Sequence, residues 1–131
     1  MKRIVITGLG TINSTGHNVK ESFEAVTNGV CGIDTITLFD ASEFPVQIAG
    51  EVKNFDPETV MDKKEVKKAD RFIQLGIKAA LEAMIDSGYV TQEDKKVDSS
   101  IADRFGIISG SGIGGLSTIE KNSVTCENRG P

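Results

Sequence analysis

Lys64, Lys67, Lys68 and Arg71 fall at i, i+3, i+4 and i+7, the interval that brings side chains together on one side of a helix. A basic stripe of this kind is either a solvated helix face or a docking site for an acidic protein, where long cations steer encounter and set register. The surrounding charge bears on that choice. The chain carries a net −4, yet Asp62 to Arg71 holds four Lys and one Arg against two Asp and one Glu. A local +2 island therefore stands on a remainder of −6. An acidic chain is a poor candidate for neutralising phosphates, so nucleic acid is not the expected partner. A specific acidic protein surface fits the island better.

A second constellation is Gly110, Gly112 and Gly115, which match G-x-G-x-x-G between a β-branched run and a helical stretch. That context is the one a dinucleotide fingerprint requires, and a nucleotide-binding α/β domain is one reading. No acidic residue closes a following strand at the expected distance, however, and the same glycines equally serve a tightly packed loop. His17, the only histidine, precedes a helix start with no Ser, Cys or carboxylate motif beside it. Cys31 and Cys126 show no metal-ligand spacing, and two cysteines are too few for a disulfide scaffold. A nucleophilic thiol needs a helix N-terminus or a partner imidazole to lower its pKa, and neither is evident. No catalytic residue, metal ligand or cofactor is expected among these residues.

The elements that would carry these groups follow from periodicity. Arg3 to Gly8 and Phe105 to Ser109 are β-branched runs with apolar residues on both faces, as in buried strands. Asn18 with Glu21 three residues later is a capping-box start. The helix it opens should run to Thr27, with Val19, Phe23 and Val26 inward, and stop at Asn28-Gly29. Residues 30–56 read as irregular except for a short strand within Val46 to Val52. Asp56-Pro57-Glu58 can open one turn, and Asp62 with Glu65 a second cap. Val66, Ala69, Phe72, Ile73, Gly76, Ile77, Ala80 and Met84 then recur at helical spacing up to Gly88. This predicts one helix of about 22 residues, buried over Ile77 to Ile85 and basic at its start. A surface turn opened by Thr91, a helix from Leu116 to Val124 and a terminal turn at Asn128 to Pro131 complete the pass.

With 131 residues the chain is the size of one domain, and its 38% hydrophobic and 26% charged residues are ordinary for a water-soluble fold. Six Phe, one Tyr and no Trp leave the core to aliphatic residues. No apolar run approaches the roughly 20 residues a membrane-spanning helix needs. The N-terminus lacks the apolar stretch of a signal peptide, so a cytoplasmic location is expected. Strands alternating with helices give an α/β pattern, but two or three strands do not make a covered parallel sheet, so the expectation is an incomplete fold.

The order of the pieces resembles a known family. Arg3-Ile4-Val5-Ile6-Thr7-Gly8-Leu9-Gly10 resembles the opening strand of the elongating β-ketoacyl-acyl carrier protein synthases. Phe39-Asp40, Ala49-Gly50-Glu51-Val52 and Phe55-Asp56-Pro57 are similar to the landmarks that follow. The basic segment from Asp62 to Phe72 resembles the family's "RK…RKMD.F" segment, and Asp86-Ser87-Gly88 its helix end. Gly110-Ser111-Gly112-Ile113-Gly114-Gly115-Leu116 resembles the GSGIGGL loop, and Asn128 to Pro131 the "NGGP" turn. Thr15 stands where proline is usual, Ala69 where methionine is usual, and residues 91–103 are a few residues long, which leaves the subclass open.

The resemblance implies the N-terminal part of a thiolase-like αβαβα fold, an incomplete mixed sheet with flanking helices, from an enzyme that is usually a homodimer. Residues 1–131 would be the N-terminal segment of its ketosynthase domain. The family joins an enzyme-bound acyl thioester to malonyl-acyl carrier protein with loss of carbon dioxide. Its nucleophilic cysteine and two catalytic histidines would lie beyond Pro131, so these residues alone are expected to be inactive. Carried over by position are Lys64, Lys67 and Lys68, which would dock the acidic carrier protein. Gly112, Ile113 and Gly114 carry over to the loop that shapes the acyl pocket near the dimer interface. A non-catalytic carrier-protein-binding remnant is the alternative from another class.

Overall fold

In a computed structural model that describes residues 3–130, the longest helix among the described residues is Arg71–Asp86 (α3). The glycine-rich segment after residue 7 crosses it at close range. Leu9 N–H donates to Asp86 Oδ2 at 2.9 Å, and Thr11 N–H donates to Glu82 Oε2 at 3.1 Å. A Cβ at Gly8 would collide with the Ala83 carbonyl, and one at Gly10 with the Ala79 carbonyl. Only glycine lets the two backbones approach this closely. Glu82 Oε1 also accepts from Val19 N–H at 2.8 Å, so one carboxylate binds the crossing segment and the first residue of the helix Val19–Thr27 (α1) to α3.

The start of α1 follows from its cap. Asn18 Oδ1 accepts from Glu21 N–H at 2.8 Å. The return bond runs from His17 N–H to Glu21 Oε2 at 2.8 Å, one residue earlier than in the usual reciprocal box. That N–H is the main cause holding the Glu21 carboxyl below its ordinary pKa. The helix ends at Thr27, as its Asn-Gly stop implies. Its expected inner face is not covered, because Phe23 and Val26 are about two-thirds exposed and Ser22 is the buried residue.

Between α1 and the basic segment, Asp34–Thr35 (β1) and Ile48–Ala49 (β2) pair antiparallel, with Asp34 opposite Ala49 and Thr35 opposite Ile48. The second strand lies inside the stretch read as extended, whereas its partner falls in residues read as irregular. A 3-10 turn at Pro57–Thr59 is capped by Asp56 Oδ1, which accepts from Glu58 N–H at 2.9 Å.

Three expectations are corrected. Residues 3–8 and 105–109 do not pair as strands, and Ile4, Ile6, Ile107 and Ile108 are 84–102% exposed. Their alternation-free apolar pattern calls for neighbours on both edges and both faces, and the described residues supply none. The expected long helix is broken into Lys63–Val66 (α2) and α3. Asp70 adopts φ −61°, ψ 156°, an extended conformation that interrupts the helix. The buried Gln74 amide then donates to Val66 O at 3.2 Å and Ala69 O at 2.9 Å, satisfying carbonyls that the break would orphan. Ile77 to Ile85 is half-buried or exposed instead of buried.

Smaller differences follow local bonds. Thr91 forms a hydroxyl turn with Asp94, and the helical turn lies later, at Ala102–Arg104. The last helix runs Leu116–Arg129 (α4), past Val124. Thr125 Oγ1 and Asn128 Nδ2 bond back to carbonyls one turn earlier, and Gly130 at φ 80° closes the helix. Pro131, part of the expected terminal turn, lies outside the described residues. Among them, no helix is long and apolar enough to cross a membrane.

Candidate functional site

The lysines of the basic segment sit on a single compact turn. Glu65 and Val66 N–H bond to Asp62 O, and Lys68 and Ala69 N–H bond to Glu65 O at 2.9 Å. Lys67 keeps a right-handed helical backbone at φ −68°, ψ −19°. The break comes only after Lys68, so Lys64, Lys67 and Lys68 keep the neighbouring placement their spacing implies. All three are exposed, and none forms an ion pair among the described residues. Lys63 differs, because it lies 3.8 Å from Glu58. Arg71 leaves the stripe. Its guanidinium stacks over Phe55 at 5.0 Å from the ring centroid and donates to Val52 O at 3.2 Å. Three free cations close together raise the local potential toward an anionic surface without holding a fixed ligand geometry.

The glycine loop lies on the other side of Asp70. Gly114 N–H donates to Ser111 Oγ at 3.0 Å, and Gly114 takes φ 81°. Ile113 projects with 73% exposure, and Gly112 is exposed. Thr118 Oγ1 donates to Asp70 Oδ1 at 2.7 Å, and a Cβ on Gly115 would overlap the same carboxylate. The loop and the basic segment, separate in sequence, are thus joined through Asp70. That joint was missed from sequence. The sequence carried no signal for it, because Asp70 lay within what read as one continuous helix and became a helix boundary only in the structure.

Two cavities lie elsewhere. One of about 730 Å³ opens between α1 and α3, with Leu9, Phe23, Leu81 and Ile85 among its walls and Lys20, Glu82 and Asp86 on its polar side. The second, of about 320 Å³, is lined by Asn13, His17, Cys31, Asp34, Glu51 and Lys53 among others. His17 and Cys31 share this hollow without pairing. His17 Nε2 donates to Lys53 O at 2.8 Å, and Cys31 Sγ lies 3.7 Å from Ile33 O. The imidazole therefore ties two loops together and does not activate the thiol. Lys53 and Asp34 meet at 2.9 Å, which lowers the Asp34 pKa and raises that of Lys53. Cys126 is a free exposed thiol on α4.

Comparison with known proteins covers nearly the whole chain. The family model described as "Beta-ketoacyl synthase, N-terminal domain" matches residues 1–130. A 3-oxoacyl-[acyl-carrier-protein] synthase 2 of Coxiella burnetii is 42% identical over 130 residues, 99% of this chain and 30% of the relative. The protein of that name from Staphylococcus aureus is 44% identical with the same coverage. The one from Vibrio cholerae is 41% identical, again over 99% of this chain and 30% of the relative. This chain thus spans about a third of the length of these curated relatives. Its family match, extending from the strand-like opening through the GSGIGGL loop to residue 130, shows that the chain belongs to the β-ketoacyl synthases, as part of their N-terminal domain.

Proposed function

We propose that these residues are the N-terminal segment of a fatty-acid-elongating 3-oxoacyl-acyl carrier protein synthase, and that their share of the work is to receive the carrier protein. The observation that carries this is the trio Lys64, Lys67 and Lys68, exposed and, among the described residues, without an ion pair, in a chain of net −4. The reaction is decarboxylative condensation of an acyl thioester on the enzyme with malonyl-acyl carrier protein. In that scheme the lysines hold the acidic carrier by charge, and the loop of Gly112, Ile113 and Gly114 borders the acyl chain. The αβαβα layering and a homodimeric assembly are part of the same proposal. They give residues 3–8 and 105–109 the neighbours they lack here.

The nucleophile belongs outside these residues, because neither Cys31 nor Cys126 has a partner that would make it a thiolate. The polypeptide of residues 1–131, mixed with acyl- and malonyl-carrier protein, is expected to form no 3-oxoacyl product by mass spectrometry. Product that disappears on Cys31→Ser or Cys126→Ser would place the nucleophile here and overturn the assignment. Nucleotide binding at Gly110 to Gly115 is disfavoured by the Asp70 carboxylate. It lies against Gly115 at the start of α4, the position a pyrophosphate would need.

A further inference from the structure

Asp70 stands at the N-cap of α3, where an aspartate ordinarily turns its carboxylate onto the first N–H groups of its own helix. It makes no such bond. Its Oδ1 accepts instead from Thr118 Oγ1, 48 residues away in the first turn of α4, at 2.7 Å. Gly115, the N-cap of α4, lies so close to the same carboxylate that a side chain there would displace it. Among the described residues this is the only hydrogen bond that joins residues 106–130 to the rest of the chain. Lys67 and Lys68 stand immediately before Ala69 and Asp70.

We infer that Asp70, Gly115 and Thr118 form a clasp that sets the position of the glycine loop and α4 relative to the docking lysines, with Asp70 as the positioning residue. The inference rests on the carrier-docking reading and adds a route from the docked surface to the loop. The clasp is built to open. The first-turn N–H groups of α3 offer the Asp70 carboxylate an alternative partner, so releasing Thr118 exchanges one hydrogen bond for another. Two arrangements of similar energy are what a coupling element requires. The lack of a side chain at Gly115 is what allows the closed arrangement.

Amide hydrogen exchange on the full chain tests this. Thr118→Val keeps the side-chain shape and removes the donor. Exchange over residues 111–118 should rise about 3- to 10-fold, the range expected for one lost hydrogen bond, while the centre of α3 is unchanged. Thr118→Ser should restore the wild-type rate. Asp70→Ala should loosen both 111–118 and the first turn of α3, whereas Asp70→Asn, which keeps an acceptor, should stay close to wild type. Addition of an acidic acyl carrier protein should slow exchange over 111–118 in the wild type. In Thr118→Val that slowing should be lost although affinity for the carrier is retained. Equal exchange in Thr118→Val and wild type without carrier would overturn the clasp, and slowing that persists in Thr118→Val would overturn the coupling. If reversal of Lys64, Lys67 and Lys68 to Glu leaves carrier affinity unchanged, the docking reading fails instead, and the carrier-free comparison still decides the clasp.

Discussion

Glu51 accepts from Thr37 N–H at 2.9 Å, from Thr37 Oγ1 at 2.7 Å and from Leu38 N–H at 3.1 Å, and so fixes the chain as it leaves β1. The Thr37 hydroxyl is the main cause holding this carboxyl below its ordinary 4.5, with the backbone N–H groups adding to it. A depressed pKa in the folded state means that the contribution is fully present above the unfolded value and is lost as pH falls through the folded one. Glu51→Gln should therefore lower the urea midpoint at neutral pH, and its gap from wild type should close at pH well below 4.5. A gap that stays constant across that range would remove the carboxylate charge from the explanation. Glu51 was legible in sequence only as part of the family landmark Ala49 to Val52. Its bonds to residues 37 and 38 depend on how β1 and β2 pair, which local periodicity does not encode.

At the scale of elements, the caps at Asn18 and Asp56 were readable, whereas Asp62, expected to cap with Glu65, makes no side-chain cap bond, and the break was not foreseen. The signal at Asn18 with Glu21 is local, and the helix it marks starts and stops where expected. Asp62 to Gly88 carries an unbroken helical pattern, yet the helix parts at Asp70. The bonds that support the parted arrangement, from the Gln74 amide and between Asp70 and Thr118, lie off that pattern. Gln74→Leu should keep the volume but strand the Val66 and Ala69 carbonyls, at a cost of about 1–3 kcal/mol. The expected readout is a lower melting temperature with amide exchange raised first at residues 67–71. An unchanged melt with unchanged exchange there would mean that water serves those carbonyls as well as Gln74 does. Of the candidate site, the neighbouring placement of Lys64, Lys67 and Lys68 was legible because one turn suffices to produce it. The placement of Arg71 was not, because the break redirects it onto Phe55.

For the molecule as a whole, the apolar surface is the dominant physical fact. Ile4, Ile6, Ile107 and Ile108 are almost bare on backbone that pairs with no strand among the described residues. At about 25 cal/mol per Å², a few hundred Å² of such surface withholds several kcal/mol, a large share of the roughly 5–15 kcal/mol that holds a domain together. Unpaired extended segments also invite pairing with other chains. The polypeptide of residues 1–131 should accordingly self-associate in sedimentation and bind a hydrophobic dye. A monodisperse monomer with one sharp melt would show that these segments find partners within the chain.

Carrier-protein affinity as a function of salt, measured for the chain and for Lys64→Glu/Lys67→Glu/Lys68→Glu, tests the central claim most directly. Exposed charges attract over about 8 Å at physiological ionic strength, and each pair contributes up to about 1 kcal/mol. The expected result is wild-type affinity that falls as salt rises, and a triple variant weakened about tenfold or more with a flattened salt dependence. Equal affinity and equal salt dependence in the two proteins would contradict it, and the three lysines would then be a solvated turn.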